Sequence, residues 1–192
     1  MNLPIVAYGH PVLRKVCDDI TAEYPDLQKL IADMWETMYN SSGVGLAAPQ
    51  INRAIRLFVV DTEQIVEGFD EEDKRTYPNE KPIKRVFINA HIVEETGEMW
   101  SYNEGCLSIP KVREDVSRKK HLKLRFMDEN FVEHVEDFTG ITARVIQHEY
   151  DHIDGKLFID YMPPLKKRLM KKKLDDITNG KVRTDYRMLF VK

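Results

Sequence analysis

The sequence predicts an α+β fold: mixed, mainly antiparallel sheets around a central helix, followed by a C-terminal helix and a final strand. Three observations predict it. Short runs rich in β-branched and aromatic residues crowd the region before residue 140, one amphipathic run of helical period lies near the start, and a second carries His148-Glu149-Tyr150-Asp151-His152. At 192 residues, 42% hydrophobic and 32% charged, the chain has the length and apolar content of one domain, and residues 1–192 are read as a single unit.

The first helix follows Pro25, where Leu27, Leu30, Ile31, Met34 and Met38 form an apolar stripe. Gly43-Val44-Gly45-Leu46-Ala47-Ala48-Pro49-Gln50 comes next, its small residues letting backbone groups face a ligand and its Gln50 amide able to donate to an oxyanion. Strands are predicted at Ile55–Val60, Val86–Ala90 and Ile92–Ser101, and a hairpin pairs Leu122–Met127 with Phe131–Glu136 through Asp128-Glu129-Asn130. Thr62 to Pro82 resembles an insertion rich in Asp and Glu and reads as a solvated surface loop without function. Glu104-Gly105-Cys106-Leu107-Ser108-Ile109-Pro110 reads as a loop leaving the strand near Trp100. Between Gly140 and Gly155, Ile141, Val145, His148 and His152 share one helical stripe, so the face that carries the histidines is the buried one. Leu157–Tyr161 follows, then a helix from about Pro164 to Thr178 and a final strand Val182–Val191. There is no internal repeat or low-complexity tract.

His148 and His152 stand one helical turn apart on one face, near enough to grip one ion, with Glu149 about 100° round the helix. Two buried imidazoles and an adjacent carboxylate spell metal-assisted hydrolysis, because a desolvated ring needs a hydrogen-bond partner or a metal. Two imidazoles leave a tetrahedral ion short of ligands. Of the two cysteines, Cys17 lacks any companion glycine and reads as a small half-buried residue, whereas Cys106 sits where backbone can approach an ion. His10, His91, His121 and His134 fall in no ligand spacing and read as surface or turn residues.

In this order, Gly43–Gln50, Glu104–Pro110 and Gln147–His152 resemble the three characteristic motifs of bacterial peptide deformylases, a likeness that runs from Pro11 to Asp160. The resemblance implies that Cys106, His148 and His152 bind the metal, with water in the fourth position. It implies ferrous iron in the cell, with Ni2+ or Co2+ as active substitutes and Zn2+ poorer; the donor set by itself favours zinc. It makes Glu149 the general base and acid, and the Gln50 amide with the Leu107 N–H the oxyanion donors. Arg113 matches a position that contacts substrate backbone, while Val44, Gly45, Tyr102, Glu104, Gly105, Ile141 and Val145 are expected around a bound N-formylmethionyl nascent peptide, the apolar ones beside its methionine. Ile153 stands where leucine is commoner, and Arg144 where some members have an aliphatic residue, which leaves that wall of the pocket open.

The net charge of −3 carries no global field toward nucleic acid. Lys166, Lys167, Arg168, Lys171, Lys172 and Lys173 nevertheless crowd the penultimate helix, opposite Leu165, Leu169 and Leu174. A solvated face is the first reading and a transient ribosome contact the second. No apolar run is long enough for a membrane span and no leader-like segment opens the sequence, so a cytoplasmic location is expected, in keeping with two unpaired cysteines. A zinc endopeptidase and a structural metal module are the rival readings. No histidine or glutamate follows His152 to complete the first, and no second Cys or His accompanies Cys106 to close the second.

Overall fold

Alternation along residues 57–60 decides how the molecule is layered, because successive strand side chains point to opposite faces. Leu57 and Val59 enter one apolar cluster, Phe58 and Val60 another, and all four are fully buried. A sheet buried on both faces needs a helix on each.

The computed structural model describes residues 1–191. In chain order it contains β1 (Ile5–Val6), α1 (Leu27–Asn40), β2 (Gly45–Ala47), β3 (Leu57–Asp61), α2 (Glu63–Glu67), α3 (Glu71–Thr76), β4 (Lys84–Cys106), β5 (Ile109–Met127), β6 (Glu133–Thr139), α4 (Gly140–Ile153), α5 (Pro164–Thr178) and β7 (Met188–Leu189). The main sheet runs β2-β3-β4-β5-β6, antiparallel throughout. β1 and β7 pair in parallel as a separate ribbon. The α+β expectation therefore holds, with α4 as the central helix.

On one face α1 supplies Leu27, Ile31, Met34 and Met38 to a core with Leu57, Val59, Val86 and Ile88. On the other, Phe58, Phe87, Phe126 and Phe138 form an aromatic floor beneath α4, with Phe87 at ring-centroid distances of 4.8 Å from Phe58 and 4.6 Å from Phe126. A third cluster joins Val112 and Val116 of β5 to Leu157–Ile159 and to Leu174 and Ile177 of α5.

Several elements differ from expectation. Val86–Ala90 and Ile92–Ser101 belong to one strand, β4, whose register irregularities beyond Ile88 bend it without ending it. Cys106 is not on a loop: it ends β4, and Leu107-Ser108 is a two-residue turn into β5. The hairpin at Asp128–Val132 forms as expected, though β6 begins at Glu133 and runs to Thr139. Phe158–Tyr161 is a single 3-10 turn, and the final strand shrinks to Met188–Leu189, all that finds a partner in β1. Cys17 is buried at 4% exposure, and burial pushes its thiol up to about 11. On α5 only Leu174 and Ile177 are buried, while Leu165 and Leu169 are 69% and 76% exposed.

Two corrections bear on the central helix. Twelve of the fourteen residues of α4 are buried, so every face of it is covered and the histidine stripe is no more buried than the rest. The segment Thr62 to Pro82 is not a plain solvated loop: it holds α2 and α3, and Ile65, Phe69 and Tyr77 pack on the α4-side core. Its Glu80 supplies what Thr139, the residue before α4, does not, since Thr139 makes no side-chain cap. The Glu80 carboxylate accepts from Ile141 N at 3.0 Å and Thr142 N at 2.8 Å, and the negative charge also suits a helix N-terminus. Gly140 turns the chain into the helix at φ +62°, and a Cβ there would strike the Glu80 carboxylate. Glu80→Ala should lower unfolding stability by about 1–2 kcal/mol, the usual cost of a lost helix cap, read from the urea midpoint of the metal-free protein.

Candidate metal centre and active site

The pieces of the site come from segments distant in the chain, so its geometry is fixed by packing and not by chain proximity. Among the described residues, Cys106 at the end of β4 and His148 and His152 on α4 form a three-donor group whose ligand atoms all lie within 4.8 Å of one another. The Cys106 sulfur is 3.2 Å from His152 Nε2. A tetrahedral ion bonded to a thiolate at about 2.3 Å and an imidazole at about 2.0–2.1 Å would separate those atoms by roughly 3.5 Å, so the donors fit an ion with little adjustment. Three ligands leave a fourth position for water or substrate.

Glu104 has a role the sequence did not suggest. It lines the cavity beside the donors, and its carboxylate accepts from His148 Nδ1 at 2.9 Å, Arg118 Nε at 2.7 Å and Arg144 Nη1 at 3.0 Å, with the side chain 3% exposed. A carboxylate on Nδ1 fixes the His148 tautomer, turning Nε2 toward the metal position. Burial alone would raise the Glu104 carboxyl; hydrogen bonds from His148 and Arg118 overcome it and hold the group well below the usual carboxylate range. Arg118 in turn donates to Asp151 at 2.7 Å, tying β5 back to α4. Nothing in the basic run Arg118-Lys119-Lys120 set Arg118 apart from its surface neighbours in the sequence. Arg144 is 1% exposed, lies 4.5 Å from the Trp100 ring centroid and donates to the Trp100 and Val116 carbonyls.

Glu149 stands beside the donors at 4% exposure, and its Oε2 is buried without a hydrogen-bond partner. Burial is the main reason its carboxyl is pushed up to about 7, with the neighbouring His148 acting the other way. β2 passes so close that a Cβ on Gly45 would sit 2.5 Å from the Glu149 carboxylate, which only glycine permits. Gln50 is equally fixed: its Oε1 accepts from Ala47 N at 2.9 Å, which turns Nε2 toward the Cys106 sulfur at 3.5 Å and Ser108 Oγ at 3.3 Å.

These groups open on a cavity of about 560 Å³ whose wall includes Val44, Ile65, Tyr102, Arg144 and Val145. Gly45, Gly105, Leu107 and Arg113 line it as well. Arg113, exposed at the lip, donates to Asn103 at 2.7 Å through both Nε and Nη2. Ile141 does not reach this wall; it is 1% exposed within the aromatic-floored core, one turn too far along α4. Of the other histidines, His91 and His134 are paired with Asp19 and Asp128, and His10 caps a 3-10 turn.

The family model for polypeptide deformylase matches residues 2–168. The chain belongs to that family. It is 57% identical to the peptide deformylase of Flavobacterium johnsoniae and 51% identical to that of Christiangramia forsetii, covering 99% of this chain and 96% of each relative. Among solved structures, the peptide deformylase of Thermus thermophilus superposes with a TM-score of 0.79 at 32% identity, covering 94% of this chain and 99% of that one. The peptide deformylase of Plasmodium falciparum gives 0.78 at 34%, covering 92% and 95%. The protein is thus an enzyme of the peptide deformylase family, and its Cys106, His148 and His152 cluster could hold a metal ion.

The buried carboxyl of this deformylase makes a pH-dependent test. Its folded pKa of about 7 lies above the ordinary 4.5, so Glu149 weighs against folding when ionised: the stability present below pH 4.5 is lost as pH rises through 7. In the metal-free protein, Glu149→Gln should match the parent near pH 4 and exceed it by up to about 3 kcal/mol above pH 7, read by urea unfolding across pH. Parallel stability curves for the two proteins would place Glu149 in a wetter site than this.

Proposed function

We propose that this enzyme removes the N-formyl group from N-formylmethionyl nascent peptides, releasing formate and a free amine, with one divalent ion held by Cys106, His148 and His152. The observation that carries this reading is the unpartnered Glu149 carboxylate, with a pKa near 7, buried beside three donors that leave a fourth position open. When bound, the ion supplies an acidified water and polarisation of the formyl oxygen. Ferrous iron is the cellular ion we propose on the strength of the family likeness, with Zn2+, Ni2+ or Co2+ in purified protein.

The remaining work falls to the chain's own groups. Glu149 takes a proton from the attacking water and returns it to the departing nitrogen, a round trip suited to a group poised near neutrality. Gln50 Nε2 and the Leu107 N–H donate to the formyl oxygen as it gains charge. Val44, Tyr102 and Val145, joined by Ile65, receive the methionine side chain, while Arg144 is kept from acting as a free charge there by its bonds to Glu104 and two carbonyls. The peptide backbone lies along the free edge of β2 at Val44–Gly45 and along Gly105, adding a strand, with Arg113 at the lip.

Among the described residues no helix is long and apolar enough to cross a membrane, and we place the enzyme in the cytoplasm, where its substrate is made. The basic face of α5 is the proposed ribosome contact. Exposed Leu165 and Leu169 beside Lys166, Lys167, Arg168 and Lys171–Lys173 support it, since nothing among the described residues covers those leucines.

Formyl-Met-Ala-Ser should be hydrolysed and casein left intact; the reverse would identify an endopeptidase. Gln50→Ala and Glu149→Ala should keep the ion by metal analysis while losing about 100- to 1,000-fold in kcat, in line with about 2.7–4 kcal/mol for a lost oxyanion donor. Turnover at the parental rate by the Glu149→Ala enzyme would remove Glu149 as the base. Charge reversal at Lys171, Lys172 and Lys173 should abolish co-pelleting with ribosomes, and pelleting that survives the change would dispose of that contact.

A further inference from the structure

The family match ends at residue 168, yet Arg183, Thr184, Asp185 and Tyr186 line the same cavity as Cys106 and Glu149. The segment is seated firmly. Exposed Lys181, Arg183, Asp185 and Arg187 alternate with half-buried Val182, Thr184, Tyr186 and Met188, and Met188–Leu189 pairs with β1. Val182, Met188 and Phe190 pack on the third core, and the Tyr186 ring packs on the α1-side core.

What this segment grips is the turn Leu107-Ser108. A two-residue turn leaves carbonyls outside the ladder, and each needs a partner if it is shielded from water. Tyr186 Oη donates to the Leu107 carbonyl at 2.7 Å, and Tyr8 N donates to the Ser108 carbonyl at 2.8 Å. From the opposite side Gln50 Nε2 reaches Ser108 Oγ at 3.3 Å. Burial, and then the Cys106 side chain, push the phenol of Tyr186 far above its ordinary range, so the hydroxyl remains a donor at any working pH.

We propose that Tyr186 is a positioning residue: by holding the Leu107 carbonyl it fixes the turn that aims both the Cys106 thiol and the Leu107 N–H into the cavity. The C-terminal segment is thereby part of the catalytic apparatus. The inference rests on the deformylase reading, in which that N–H stabilises the oxyanion. An interaction felt mainly in the transition state lowers kcat when it is loosened and spares KM.

Tyr186→Phe removes one donor and leaves the ring in its packing. In cobalt-loaded enzyme, with rates normalised to bound ion, the variant should hydrolyse formyl-Met-Ala-Ser with kcat reduced roughly tenfold and KM within about twofold, the scale of one unmade hydrogen bond. Amide hydrogen exchange at Leu107 and Ser108 should accelerate about tenfold, while the amides of β3 exchange as before. An unchanged kcat overturns the proposal, and so does a loss of kcat in which β3 exchange rises in step with the turn, because that marks general loosening. Should the parent enzyme itself fail on formyl-Met-Ala-Ser, the deformylase reading falls, while the exchange difference between the turn and β3 still reports on the Tyr186 bond.

Discussion

One carboxylate joins the three elements from which the centre is made. Glu104 lies on β4, two residues before Cys106; its cationic partners come from β5 and α4, and its third bond goes to the His148 ring. A charge buried to 3% exposure costs several kcal/mol unless its oxygens are satisfied, and here Arg118, Arg144 and His148 satisfy them. The cost of leaving any of the group unpaired is what holds the strand ends and the helix in one arrangement, so the position of the ligands is enforced by electrostatics as well as by apolar packing. Asp151 extends the constraint, pairing Arg118 from the same helix that carries both imidazoles.

Around that anchor the layers leave α4 little freedom. The aromatic floor of Phe58, Phe87, Phe126 and Phe138 supports it, Ile65, Phe69 and Tyr77 pack on the same core, and the Glu80 carboxylate closes its first turn. Burial on all sides is costly for a helix carrying Arg144, Gln147, Glu149, Asp151 and His152, and most of these find partners within the fold. Arg144 Nε, Gln147 Oε1, Glu149 Oε2 and His152 Nδ1 are nevertheless buried without a partner. Glu149 stands at the cavity, where a ligand or water can complete its oxygen.

The sequence revealed the pieces that repeat a local rule. The i, i+4 histidines, the glycines of Gly43–Gln50 and the apolar stripe of α1 each follow from a period or a conformational need, and the boundaries of α5 follow from Pro164 at its start. The parts that escaped depend on contacts distant in the chain. Arg118 looks like one more residue of a basic run until Glu104 and Asp151 close on it. Glu80 looks like one more acid of an acidic stretch until α4 begins at its carboxylate, and Leu165 and Leu169 follow the helical period yet stay exposed. Cys106 was not legible as a strand end, because Gly105 and Pro110 read as loop punctuation when in fact they flank a tight turn. Tyr186 carried no local signal at all.

The candidate site draws on residues near 45–50, 104–107, 148–152 and 186, so it is assembled from segments spread along most of the polypeptide. The three candidate donors lie on β4 and α4, well before the segment whose Tyr186 hydroxyl holds the Leu107 carbonyl. Contacts of such long sequence separation are slow to form, since the intervening loops must close before they are rewarded. The site is therefore a property of the whole fold, and any one stretch of the chain taken alone carries only part of it.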